Sequence, residues 1–278
     1  MAIIINRLIA CSLILISSTW LCAQHSLEKI WQTDSVFKFS EGVAPAPDGK
    51  LLYVSNTIGS PMAKDGQGSV STVGLDGKII NLDWVTGMNA PKDIQRYKNL
   101  LYAADLDEVV VIDVTKSAIV QHIKIEGARL LHNIAIDEKG MIYVSDLFAG
   151  KVYRIENGTP MLYLDSLGYA AGLFSHGSDL YVLTGGNLIK ADKNKNITTI
   201  SKGMDQRMNG IQMVNDKEFL VTSWGGVMYY VSADGSNQIL LDTRDKHIAC
   251  GIIYYDAKKG IVYMTSDEHN ILFAYKLK

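Results

Sequence analysis

Only three cysteines occur in the 278 residues: Cys11, Cys22 and Cys250. The first two fall in an apolar N-terminal stretch, so a processed chain retains Cys250 alone and can form no internal disulfide. Stability has to come from a packed core. Charge of neither sign is in excess: 27 Lys and Arg face 29 Asp and Glu, a net −2, and no basic cluster occurs. The electrostatic footprint of a nucleic-acid or anionic-membrane binder is therefore missing. Long hydrophobic runs are missing too. The longest, residues 8–21, has about 14 residues, against the roughly 20 that a membrane span needs. No segment between turns shows about ten residues of helical apolar periodicity, so parallel strands joined by crossover helices are excluded.

The short apolar run has a different reading. Arg7 precedes it and small Ala23 follows it, the layout of a cleavable secretory leader over residues 1–23. The folded chain is then expected over 24–278, in the periplasm or outside the cell. Lipid attachment at Cys22 is the alternative, which the bulky Thr19-Trp20-Leu21 disfavours.

What the sequence does contain is repetition. A strand-like hexapeptide recurs as LLYVSN (51–56), LLYAAD (100–105), MIYVSD (141–146), DLYVLT (179–184), EFLVTS (218–223) and IVYMTS (261–266). Its third residues, Tyr53, Tyr102, Tyr143, Tyr181, Leu220 and Tyr263, are spaced by 49, 41, 38, 39 and 43 positions. A four-stranded propeller blade has a period of about 40–45. Each copy follows a short apolar strand (NIAID, NGIQMV, CGIIYYD) across a tight turn such as Asp48-Gly49 or Lys139-Gly140. A third strand (KVYRI, VMYYVS) and usually a fourth (AIVQHIKI, QILLDT) come after it. The sixth unit stops one strand short at Lys278, while LEKIWQTD (27–34) precedes the first unit without a blade of its own. The pattern predicts an all-β, six-bladed β-propeller in which this N-terminal strand completes the last blade and removes the open edges.

In such a ring the residues entering the innermost strands converge on one mouth of a central tunnel. Aligning the copies on Gly42-Val43, Asp93-Ile94, Asn133-Ile134, Gly172-Leu173, Gly210-Ile211 and Gly251-Ile252 places Glu41, Lys92, His132, Ala171, Asn209 and Cys250 there. A purely architectural position would repeat one residue type. An acid, a base, an imidazole and an amide in one concave mouth instead point to a site, although a Glu41–Lys92 pair between neighbouring blades would serve a water-filled tunnel equally well. Glu41, His132 and Lys92 are the candidate catalytic residues, and Asn209, Asn133, Trp224 and Asp146 the candidate substrate contacts. A second ring, Asn56, Asp105, Asp146, Thr184, Ser223 and Ser266, ends the second strands; turn hydrogen bonding is expected of it. Gly185-Gly186 and Gly225-Gly226 have no following helix and read as hairpin turns, and Cys250 reads as a small core residue.

The recurring (N/E)-G-(I/V) followed by LYV(S/D), with EGVAPAPDGKLLYVSN in the first blade, resembles the senescence-marker-protein, gluconolactonase and luciferin-regenerating-enzyme (regucalcin-like) family of six-bladed propellers. The likeness spans residues 24–278 in short motifs. It implies hydrolysis of a sugar lactone or related small ester, with a divalent metal held by a first-blade glutamate and by an asparagine and an aspartate further round. The glutamate matches Glu41, the asparagine position aligns with Ala171 and the aspartate position with Asn209. His132 stands at the family's substrate-binding asparagine, and Leu130 where an arginine is frequent. Calcium wants six to eight oxygens, more than Glu41 and Asn209 offer beside Lys92; with His132, zinc or manganese is the other option. A gluconolactonase-like hydrolase is thus one expectation. The other is a non-catalytic propeller that has lost the family's metal site and binds a ligand or a protein. Either is expected to be a monomer whose partner is a small carbohydrate-derived molecule.

Overall fold

The computed structural model describes residues 25–278; the leader expected at 1–23 lies outside the described residues. Twenty-four strands form six antiparallel four-stranded sheets, and the only helical element among the described residues is a single 3-10 turn, Arg244–Lys246. In five sheets the strands follow chain order from the innermost outward. The sixth is ordered with Leu27–Gln32 outside Ile271–Leu277, then Ile261–Ser266 and Ile253–Asp256. The N-terminal strand therefore closes the ring as expected. It pairs antiparallel from Leu27↔Leu277 to Gln32↔Phe273, with the register shifting between Lys29 and Trp31. Trp31 then ties it to blade one by donating its indole N–H to the Leu75 carbonyl at 3.0 Å.

The recurring hexapeptide is the second strand of every blade. Its alternate residues pack into opposite inter-blade clusters, because each sheet is covered on both faces by its neighbours. Val54 and Leu52, for example, pack with Phe37 and Tyr263, whereas Tyr53 packs with Ile94 and Val110. The innermost strands are Ser40–Pro45, Pro91–Tyr97, Leu131–Ile136, Leu173–His176, Met208–Asn215 and Ile253–Asp256. They crowd the axis so closely that a Cβ on Gly42 would lie 2.6 Å from the Ile94 nitrogen, and one on Gly172 2.6 Å from the Asn209 carbonyl oxygen. In blades one, four and five glycine after the ring residue is thus a packing requirement, whereas Asp93, Asn133 and Ile252 take that position in the other three.

Hydroxyls lock these strands together. Ser55 Oγ accepts from the Gly42 N–H (2.7 Å) and donates to the Lys92 carbonyl (2.5 Å). Thr222 Oγ1 joins the Gly210 N–H to the Gly251 carbonyl in the same way, and Thr265 Oγ1 donates to the Glu41 carbonyl. This equivalence corrects the sequence alignment in blade six. There Ile253, not Ile252, pairs with Met264, as Val43 pairs with Val54 in blade one. The ring residue is Gly251. Cys250 sits one position earlier, fully buried beside Tyr230 and Tyr275 with its thiol pushed up to about 12 by burial.

Candidate functional site

The ring brings together Glu41, Lys92, His132, Ala171, Asn209 and Gly251 from six blades. Lys92 Nζ donates to Glu41 Oε1 at 2.8 Å, with the two side chains 3% and 7% exposed. The carboxylate of blade one is therefore matched by the ammonium of blade two. Phe39 lies under the ammonium, its ring centroid 5.4 Å from Nζ. It is held there in a left-handed backbone conformation (φ 47°) that an aromatic residue adopts at a cost. The Asn270 side chain offsets that cost by accepting the Phe39 N–H at 2.6 Å.

His132 Nε2 stands 3.7 Å from Glu41 Oε2, too long for a hydrogen bond. Burial pushes the imidazole below its ordinary value, against the opposing pull of Glu41 and of its bond to Asn133. The ring is neutral near pH 7, and its tautomer is set by a neighbour. Asn133 points its amide nitrogen at Asp93 Oδ2 (3.5 Å) and its carbonyl Oδ1 at His132 Nδ1 (2.7 Å). Nδ1 must then carry the proton, leaving the Nε2 lone pair without a partner on the cavity side. Asp93 anchors this chain by accepting the Ile134 N–H at 3.0 Å, and burial raises its carboxyl to about 7.

Above the ring opens a cavity of about 380 Å3. Its wall repeats two offsets. Phe39, Leu130, Tyr169 and Arg207 each lie two residues before a ring position; Leu147, Trp224 and Asp267 each follow a second-ring residue. The remaining cover comes from Pro61, Met62 and Phe148 at the rim and from Met208. Pro61 and Met62 belong to the 57–67 connection, whose length accounts for the 49-residue first spacing; the matching connection in blade two is 106–107. Lys64 pins that loop to Asp107 of blade two at 2.6 Å. On the far side Trp224 donates its indole N–H to Asp267 Oδ2 (2.5 Å), and the Arg207 guanidinium stacks over the indole at 4.7 Å. Burial, then the nearby charge of Glu41, raises the Asp267 carboxyl to about 6.

Of the residues read from the sequence, Glu41, Lys92, His132, Asn209 and Trp224 line this one cavity. Asn133 and Asp146 do not. Asn133 works behind His132. Asp146 is fully buried and accepts the backbone N–H groups of Arg129, Leu130 and Ala149; it performs the turn role expected of its ring, as Asp105 does for Asn89 and Ala90. Gly185-Gly186 forms the Thr184↔Asn187 hairpin turn. Sequence reasoning missed Asp267, Arg207, Tyr169 and Phe39. All four lie at the periodic offsets of Trp224 and Leu130, so extending those two positions round the ring would have found them.

The donors do not fit a divalent cation of the kind the resemblance implies. An ammonium already occupies Glu41, Ala171 contributes a methyl, and Asn209 is the one neutral oxygen donor left in that set. Among the described residues no three His, Cys, Asp or Glu side chains are grouped to hold a metal.

No protein-family model matches the chain, and no curated protein sequence matches it. In overall fold it is similar to a catalytically inactive His-to-Ala variant of virginiamycin B lyase from Staphylococcus aureus, solved with quinupristin. The TM-score is 0.63 at 11% identity, over 91% of this chain and 99% of that one. At that identity the likeness establishes the six-bladed propeller and leaves the chemistry to the site.

Proposed function

We propose that this propeller is an acid–base enzyme that opens a lactone or a related small ester at its tunnel mouth, without a bound metal. One observation carries the reading: a buried neutral imidazole, fixed in one tautomer by Asn133, presents an unpartnered Nε2 to a cavity of ligand size. In this reading His132 Nε2 takes a proton from water as the water oxygen bonds to the ester carbonyl carbon. The negative charge gathering on the carbonyl oxygen is met by Lys92, which has N–H groups beyond the one given to Glu41. The ester C–O bond then breaks, and the departing alkoxide takes the proton that His132 carries, which leaves a hydroxy acid and returns the imidazole to its neutral form. The gluconolactonase-like motifs support the same reaction class, and the leader-like residues 1–23 support action outside the cytoplasm.

The neutralised Glu41 favours a second reading, a propeller that binds such a ligand without turning it over. A panel of lactones and esters separates the two. The wild-type chain should show turnover that survives a chelator, and His132→Gln should lower it by about 10²-fold or more while the protein stays folded. Unchanged turnover in that variant would remove His132 from the chemistry, and no turnover on any member would leave the binding reading.

A further inference from the structure

The cavity wall carries a statement about the substrate that the lactone chemistry alone does not make. A polyhydroxylated sugar lactone needs a donor or acceptor beside each hydroxyl, because a buried polar group without a partner loses binding free energy. Here most of the wall is Phe39, Leu130, Leu147, Tyr169, Met208 and Trp224, with the Arg207 guanidinium stacked on that indole. Polar atoms are confined to the floor and one side, where Lys92 donates one N–H to Glu41 and Asp267 accepts the Trp224 indole N–H and the Glu268 N–H. Two neutral acceptors remain open. One is His132 Nε2. The other is the Asn209 carboxamide, 3% exposed, whose Oδ1 has no hydrogen-bond partner. The apolar surface continues upward to Met62 and Phe148, which stand 50% and 45% exposed at the rim.

We infer that the ligand is a predominantly apolar lactone or ester: its carbonyl end reaches His132 on the floor, a single hydrogen-bonding group beside that carbonyl meets Asn209, and a hydrocarbon or aromatic body lies along the wall toward Met62 and Phe148. This rests on the ester-opening reading and replaces the carbohydrate-derived ligand that the family resemblance implies. Burying several methylene groups against such a wall outweighs the few polar contacts on offer.

Two probes share one six-membered lactone ring: δ-decalactone with an alkyl tail, and glucono-δ-lactone with hydroxyls. Binding to His132→Gln, followed by titration calorimetry and by quenching of tryptophan emission, isolates recognition from turnover. δ-Decalactone should bind at least about ten-fold more tightly than glucono-δ-lactone. Phe148→Asn, a rim change that leaves the ring and its hydrogen bonds intact, should weaken only δ-decalactone, by about three-fold or more. If His132→Gln fails to fold, the ratio of KM values in the wild-type protein replaces the binding ratio. Equal or tighter binding of glucono-δ-lactone overturns the inference, as does no binding of either probe. Selective binding of δ-decalactone with no turnover by the wild type sinks the catalytic reading alone. Preferred turnover of glucono-δ-lactone sinks the substrate class alone.

Discussion

Replacing Lys92 by methionine removes one charge of the Glu41–Lys92 pair while keeping most of the side-chain volume. The two residues are 51 positions apart in sequence, 2.8 Å apart in space, and 3% and 7% exposed. At an effective dielectric of about 20 the gross attraction at that separation is about 6 kcal/mol. Desolvation of both charges cancels much of it, so the pair as a whole adds little net stability. Losing one partner is a different matter, because the Glu41 carboxylate then stays buried, 6% exposed, with its desolvation cost unopposed. The expected loss is about 3–5 kcal/mol. The double variant E41Q/K92M removes both charges and should recover most of it, giving a coupling energy of at least about 2 kcal/mol. Urea unfolding near neutral pH measures all four corners of the cycle, with the slope of each curve checking that the unfolding reaction is unchanged. A K92M loss below about 1 kcal/mol, or a double variant no better than the single, would refute the pairing of blades one and two through these side chains.

Two other outcomes follow from the structure. The Asp93 carboxyl is raised from 3.8 to about 7 by burial, so between those values the folded protein holds a proton that the unfolded chain has released. Stability contributed by this group is present at low pH and declines as pH rises toward 7; His132, lowered by burial, works in the opposite sense below pH 6.5. The difference between Asp93→Asn and wild type isolates the first effect. The variant should gain on wild type through this range and be the more stable, by as much as a few kcal/mol, in unfolding measured at pH 8; a pH-independent difference would contradict it. At the ring closure, Trp31 packs its indole 5.9 Å from Tyr263 and bonds to Leu75. Trp31→Ala should cost about 2–4 kcal/mol and, by loosening the strand that covers Ile271–Leu277, raise light scattering on heating; unchanged melting and scattering would mean the closing strand is held elsewhere.

The fold was legible because each blade repeats a local pattern, a Leu-Tyr-Val strand between tight turns, and the unpaired first and last strands left closure as the way to complete six sheets. Register was harder. In the sixth blade the tandem Ile252-Ile253 gives two equally apolar alignments, and both side chains are buried because a propeller strand is packed on both faces. The inside–outside alternation that fixes register in a half-exposed sheet is absent here. The one-residue slip put Cys250 in the ring, and the hydroxyl links from Ser55, Thr222 and Thr265 identify Gly251 instead.

The site divides along the same line. Glu41, Lys92, His132 and Asn209 stood out because they vary at a position where architecture would repeat itself. Asp93 and Asn133 vary one position later, where blades one, four and five carry glycine because the next strand is too close for a side chain. Blades two and three use that space for a hydrogen-bonded Asp–Asn pair, which sets the His132 tautomer. The chemistry proposed for His132 thus depends on a departure from the glycine rule in two adjacent blades. Putting glycine back at 133 would keep the propeller's packing rule and free the imidazole to take either tautomer. The base is therefore a product of how two neighbouring repeats diverged together, and no single motif in the chain encodes it.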